Sequence, residues 1–170
     1  MENADAVPWY ELQYDCAVQR VGFIEHDTLP CGCSPDGIID GKQGLEVKCL
    51  QAPNHVKGLL ADAVPEIYLP QIHFSLYVTQ FPQWRFLQYR RGFPPLVLTV
   101  ERNEEIQEKI HDALTAFLEK FESAKSRLIE INGGPPRHAL KPKPPTCPAE
   151  TMLQSMASDQ RRVNIDEVVP

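Results

Sequence analysis

Asp36, Glu46 and Lys48 are the residues whose types and spacing are best suited to chemistry. They lie in the run Ser34-Pro35-Asp36-Gly37-Ile38-Ile39-Asp40-Gly41-Lys42-Gln43-Gly44-Leu45-Glu46-Val47-Lys48-Cys49. Two carboxylates and an ammonium converging on one spot make a poor core and a good metal site. Carboxylate oxygens are hard ligands suited to Mg²⁺ or Mn²⁺, and Mg²⁺ usually keeps several waters beside one or two carboxylates. A retained water, made more acidic by the metal and guided by a nearby lysine, is a nucleophile. The metal also offsets the charge that builds on a phosphate during in-line attack. An isolated Glu-x-Lys triplet more often marks a solvated strand face. The preceding Pro-Asp-Gly and the intervening turn narrow the choice.

Positioning these groups requires a hairpin. Two apolar-rich runs flank a glycine-marked turn. Strand alternation sends Leu45, Val47 and Cys49 to one face and Glu46 and Lys48 to the other. A three-residue loop at Gly41-Lys42-Gln43 would set Asp36 opposite Lys48 and Ile38 opposite Glu46, with Asp36, Glu46 and Lys48 on one face. A one-residue slip would move Asp36 to the apolar side.

Around the hairpin, residues 2–16 read as a helix with Trp9, Tyr10, Leu12 and Cys16 as core contacts, although Pro8 interrupts it. Val18 to Glu25 reads as a strand with Val21 and Phe23 on one side, followed by a turn from Asp27 to Pro30. His26, at the strand end, reads as a surface residue. Asn54 is placed to cap a short helix from His55 to Asp62. Pro65 to Thr79 reads as the next helix, with Pro70 in its opening turn. Ile67, Gln71, Ile72 and Ser75 recur at helical spacing, which turns Gln71 inward. Trp84 to Arg90 and Leu96 to Arg102 read as two further strands. Trp84, Phe86 and Tyr89 suit either base stacking or core packing. Asn103-Glu104-Glu105 opens a long helix whose stripe Ile106, Ile110, Ala113, Leu114, Phe117, Phe121, Ala124 and Leu128 is expected to cover the sheet. The order of elements implies a mixed α/β (α+β) domain over residues 1–132, with a central mixed sheet of about five strands flanked by helices. Residues 133–170 are proline-rich without apolar period and read as an extended or disordered tail.

Pro35-Asp36 followed by Glu46-Val47-Lys48 resembles the PD-(D/E)xK nuclease signature. The wider blocks Cys33-Ser34-Pro35-Asp36-Gly37, Gly44-Leu45-Glu46-Val47-Lys48-Cys49 and Gln71-Ile72 with Val78-Thr79 resemble the lambda-exonuclease and YqaJ viral recombinase family, from about Glu2 to about Ile131. The resemblance implies a restriction-endonuclease-like core and a Mg²⁺- or Mn²⁺-dependent deoxyribonuclease. It implies an exonuclease acting 5′-to-3′ on duplex DNA in phage-type recombination. Asp36 and Glu46 would hold the metal with the Val47 carbonyl, Lys48 would position or activate the water, and Gln71 would support the site beside Tyr68. Glu2-Asn3 resembles the Glu-Asn that opens the family's active-site helix, which makes Glu2 a further candidate. His73 stands where the family pattern has a second glutamine. The family further implies a ring-shaped trimer and a single-strand-annealing partner. Its members carry a segment ahead of the Glu-Asn helix with basic and hydroxyl groups that hold the 5′ phosphate. The expectation here is a nuclease domain lacking that segment, so directionality and ring closure do not carry over with the motif.

The chain has 170 residues, 42% hydrophobic and 24% charged, enough for one domain with a substantial core. Its net charge of −6 argues against indiscriminate coating of DNA. Affinity would then come from a local patch of Lys48, Lys57, Arg85, Arg90, Arg91 and Arg102, or from patches pooled in an oligomer. Five cysteines in no regular framework suit reduced thiols, and no signal peptide or membrane span is evident, so a cytoplasmic protein is expected. Cys31, Cys33 and Cys49 fit no standard zinc spacing. An iron–sulfur centre would colour the protein, and buried free thiols are the plainer expectation. The competing function class is a catalytically inactive, nuclease-derived binding or inhibitory module. Against it stands the proximity of two carboxylates, whose repulsion is costly without metal.

Overall fold

A computed structural model describes residues 2–135. They divide after Ser126 into two units, and apart from the end of the last helix the elements below belong to the first. Helix α1 (Glu2–Tyr14) is followed by strands β1 (Val18–Gln19), β2 (Ile24–Glu25), β3 (Gly32–Cys33), β4 (Gly37–Ile39) and β5 (Gln43–Lys48). Helix α2 (Ala52–Ala61), a 3₁₀ turn (Glu66–Tyr68) and α3 (Leu69–Thr79) lead to β6 (Gln83–Gln88), β7 (Leu96–Glu101) and α4 (Glu104–Ile131). The main sheet has the order β1-β4-β5-β6-β7 and is antiparallel except between β5 and β6, while β2 and β3 form a separate pair. A parallel pair cannot be closed by a tight turn, so α2, the 3₁₀ turn and α3 serve as its crossover.

Alternation along β5 and β6 divides the core. Leu45, Val47 and Leu87 face α1, where they pack with Ala6, Val7 and Tyr10. Trp84 and Phe86 face the other way and pack with Ile72 and Leu76 of α3. Gly44 lies opposite Trp84 and Glu46 opposite Phe86 in the parallel register, so Glu46 shares the α3 face.

Several sequence expectations are corrected. Leu12 is 86% exposed because the α1 face that packs is set by positions 6, 7 and 10, and position 12 lies on the opposite side of the helix. Val18 to Glu25 is two short strands in different sheets rather than one, and Phe23 is exposed. Helix α2 starts at Ala52, with Pro53 in its first turn and no side-chain cap from Asn54. The predicted helix from Pro65 splits into the 3₁₀ turn and α3, so Ile67 falls off the α3 face and is exposed. The α4 cap is as expected, with Asn103 Oδ1 accepting the Ile106 N–H at 3.1 Å. The apolar stripe covers the core only in part. Ile110 and Leu114 pack on Tyr77 and Val78, whereas Phe117 and Phe121 are exposed and stack on each other at 6.1 Å. The tail beyond residue 135 lies outside the described residues. Among those described, no helix is long and apolar enough to cross a membrane.

Candidate active site

The β4–β5 hairpin fixes the first half of the site. Its register pairs Gly37 with Leu45, Ile38 with Gly44 and Ile39 with Gln43. The loop is therefore Asp40-Gly41-Lys42, one residue earlier than expected from sequence, and Ile38 faces Gly44 rather than Glu46. Asp40 (φ 51°) and Gly41 (φ 67°) both adopt the left-handed conformation that tight hairpin turns require, and the Lys42 N–H closes the turn onto the Ile39 carbonyl at 3.1 Å. The shift moves the pairing by two residues, which leaves every side chain on its expected face. Continued by one pair, it sets Asp36 across from Glu46 in place of Lys48. The Asp36 N–H bonds the Leu45 carbonyl at 3.1 Å, and its Oδ2 accepts the Val47 N–H at 2.7 Å.

Glu46 is 3% exposed, and the hydrogen bonds that hold it all converge on one oxygen. Oε1 accepts from Lys48 Nζ and, at 2.8 Å, from Gln71 Nε2. Lys48 Nζ also donates to Gln71 Oε1 at 3.3 Å and lies 5.0 Å from the centre of the Tyr68 ring, which stacks on Phe86 behind it. Burial pushes the Glu46 carboxyl above its ordinary value, the Lys48 ammonium pulls it down, and the Asp36 charge adds to the rise. Gln71 reaches Glu46 from the first turn of α3 while itself remaining exposed, so it does not pack inward as its helical spacing predicts. Asp36 is exposed as well. The cluster thus runs from a buried carboxylate to an accessible one. Glu2 opens α1, and its side chain lies outside what is described.

The donor set suits a hard cation. Beyond their hydrogen bonds, Asp36 and Glu46 each keep a second carboxylate oxygen. The Val47 carbonyl points to the same strand edge as its N–H, toward Asp36. Among the described residues no cluster of three or more His, Cys, Asp or Glu side chains could hold a metal, so protein ligation would rest on two carboxylates and a backbone oxygen.

Other candidates fall elsewhere. Trp84 and Phe86 are fully buried in the core, unable to stack on a base. Of the expected basic patch, Arg85 binds Gln43 and Thr99, Arg90 the Leu50 carbonyl, and Arg102 the Leu76 carbonyl and Glu104. Arg91 pairs with Asp5 at 3.1 Å, and Lys57 is exposed on α2. Cys16, Cys31, Cys33 and Cys49 form no disulfide among the described residues, and burial pushes the Cys33 thiol to about 11. His26 is half-buried, accepts the Thr28 and Leu29 N–H groups on Nδ1 and stacks on Tyr77. Sequence reasoning missed a groove of about 420 Å³ between α2 and the 3₁₀ turn, lined by Leu50, Val64, Pro65, Ile67 and Tyr68 among others. One wall is the face of α2 that carries Asn54, Lys57, Gly58 and Ala61 at helical spacing, a face without an apolar stripe, and the other is irregular chain and the 3₁₀ turn, where no repeat reveals a shared surface.

Residues 1–82 match the YqaJ-like viral recombinase domain. The YqaJ-like stretch contains Asp36, Glu46, Lys48 and Gln71, and α4 lies beyond it. No curated protein matches the chain. Among solved structures, an alkaline exonuclease from Laribacter hongkongensis, LHK-Exo, is similar at 23% identity with a TM-score of 0.72, covering 76% of this chain and 70% of that one. LHK-Exo in complex with dAMP is similar at 23% identity and a TM-score of 0.71, covering 76% and 69%. The likeness shows the fold, a mixed five-stranded sheet with flanking helices of the restriction-endonuclease-like type.

Proposed function

We propose that this chain is a Mg²⁺- or Mn²⁺-dependent deoxyribonuclease that hydrolyses DNA phosphodiester bonds as an exonuclease. The observation that carries the reading is the buried Glu46 carboxylate, held by Lys48 and Gln71 on the same hairpin face as the accessible Asp36. Match to a YqaJ-like domain and a fold shared with an alkaline exonuclease support it. Asp36, Glu46 and the Val47 carbonyl would hold the metal, which supplies an acidified water and charge neutralisation at phosphate. Gln71 fixes the Glu46 carboxylate, leaving Oε2 directed by a bond on its partner oxygen. Lys48 Nζ carries the protons that orient a water or a phosphate oxygen, and its contact with Tyr68 limits the positions it can take. Glu2, 5′-to-3′ polarity on duplex DNA, a trimer, a role in recombination and a single-strand-annealing partner belong to the same proposal, by resemblance.

Digestion of linear duplex DNA labelled at either end, with Mg²⁺, Mn²⁺ or EDTA, tests this beside Lys48→Ala and Glu46→Ala. The expected result is metal-dependent nucleotide release by wild type alone, with the end released first giving the polarity. Equal inertness of wild type and variants across metals and substrates would refute it.

A further inference from the structure

We infer that the groove between α2 and the 3₁₀ turn seats a nucleobase of the strand being cleaved, beside the scissile phosphate. The inference rests on the nuclease reading above and adds a substrate subsite to it. Its walls are aliphatic, from Leu50, Val64, Pro65 and Ile67, and its volume of about 420 Å³ is ample for one nucleobase. Ile67 is 75% exposed, an apolar side chain left in water beside an open cleft.

Continuity with the catalytic cluster selects the occupant. Tyr68 belongs to both, lining the groove while Lys48 Nζ sits 5.0 Å from its ring. Leu50 follows Lys48 by two residues as the chain leaves β5. A phosphate bound by Lys48, beside the metal that Asp36 and Glu46 would hold, would therefore have its neighbouring nucleoside at the mouth of the groove. The rim carries one charge of each sign, Lys57 and Glu66, so it is neutral overall: Lys57 offers a cation to a flanking phosphate, the exposed Glu66 carboxylate offers an acceptor to a base amino group, and the Asn54 amide offers both a donor and an acceptor to a base edge. Of the aromatic side chains whose pattern suits base stacking, Trp84 and Phe86 are sealed in the core and the half-buried Tyr89 packs on Trp9. Burying about 60–100 Å² of base surface corresponds to about 10- to 60-fold in kcat/KM.

The test uses duplexes carrying one abasic tetrahydrofuran residue at successive positions, cleaved by wild type, Ala61→Trp and Ile67→Asp. Ala61 and Ile67 both line the groove and are exposed, so neither change strains the core. Thermal melting checks that both variants fold. The expected wild-type result is a loss of about 10- to 60-fold when the base beside the scissile phosphate is missing, and little change at remote positions. Ala61→Trp, with its indole filling the groove, should lose a similar factor on intact DNA and show no further loss on the abasic duplex. Ile67→Asp should lose activity on intact DNA in the same direction. Equal rates on intact and abasic duplexes, with both variants fully active, would overturn the subsite while leaving the nuclease reading in place. Failure of wild type to cut any DNA with Mg²⁺ or Mn²⁺ would remove both.

Discussion

Replacing Lys48 by methionine isolates what the buried carboxylate contributes. Methionine keeps much of the apolar stem and removes the ammonium, which leaves Glu46 at 3% exposure with only the Gln71 amide on Oε1. Removing one partner of a buried ion pair costs about 3 kcal/mol or more, because the remaining charge is uncompensated. For a chain of this size that lowers Tm by about 6–12 °C at neutral pH in EDTA. The pH dependence follows from the direction of the Glu46 shift. Burial raises its folded-state pKa above the ordinary 4.5, so its stabilising contribution is complete below that value and is lost as pH rises through the folded pKa. Without the ammonium the folded pKa climbs further. The gap between Lys48→Met and wild type is therefore widest at neutral pH and closes below 4.5, where Glu46 is protonated in both states. Glu46→Gln provides the contrast. It keeps an acceptor for Gln71 and removes the buried charge, while Lys48, 23% exposed, stays hydrated. Its Tm in EDTA should equal or exceed that of wild type. Differential scanning fluorimetry across pH reads both variants. A Lys48→Met protein that melts with wild type at neutral pH, or a gap that widens on acidification, would refute the argument.

Two further outcomes follow from the packing. Gly44→Ala places a Cβ 2.3 Å from the ring carbons of the fully buried Trp84 and should cost about 2 kcal/mol, read as a lower urea midpoint with unchanged slope. The Cys33 thiol, pushed to about 11, should resist alkylation at mildly alkaline pH in the native protein and react once denatured, which peptide mass mapping distinguishes.

Asp36, Glu46 and Lys48 were legible as one face because strand parity survives a two-residue change of register. The loop starts one residue before Gly41 because Asp40-Gly41, and not Gly41 alone, adopts positive φ, a conformation that an aspartate does not announce in sequence as a glycine does. Core positions on β6 were readable from alternation, and the choice between core and base stacking needed only their burial. Where the chain lacks a period, the sequence misled. Ile67 fits a helical stripe on paper, yet the 3₁₀ turn rotates it into solvent. Gln71 was found through its spacing and motif, but its contact with Glu46 arises from the crossover that brings the start of α3 beside β5, which no local pattern encodes.

That crossover ties the assembly of the cluster to folding itself. Gln71 lies 23 residues beyond Lys48, and the intervening chain is the link between the parallel strands β5 and β6. A chain that has formed only the β4–β5 hairpin holds Asp36, Glu46 and Lys48 but not the amide that fixes them. Loop closure must come first, and its entropy is repaid by the non-local pairing of β5 with β6. Recovery of the Gln71–Glu46 bond during refolding should therefore keep step with closure of the central sheet, not with the earlier hairpin.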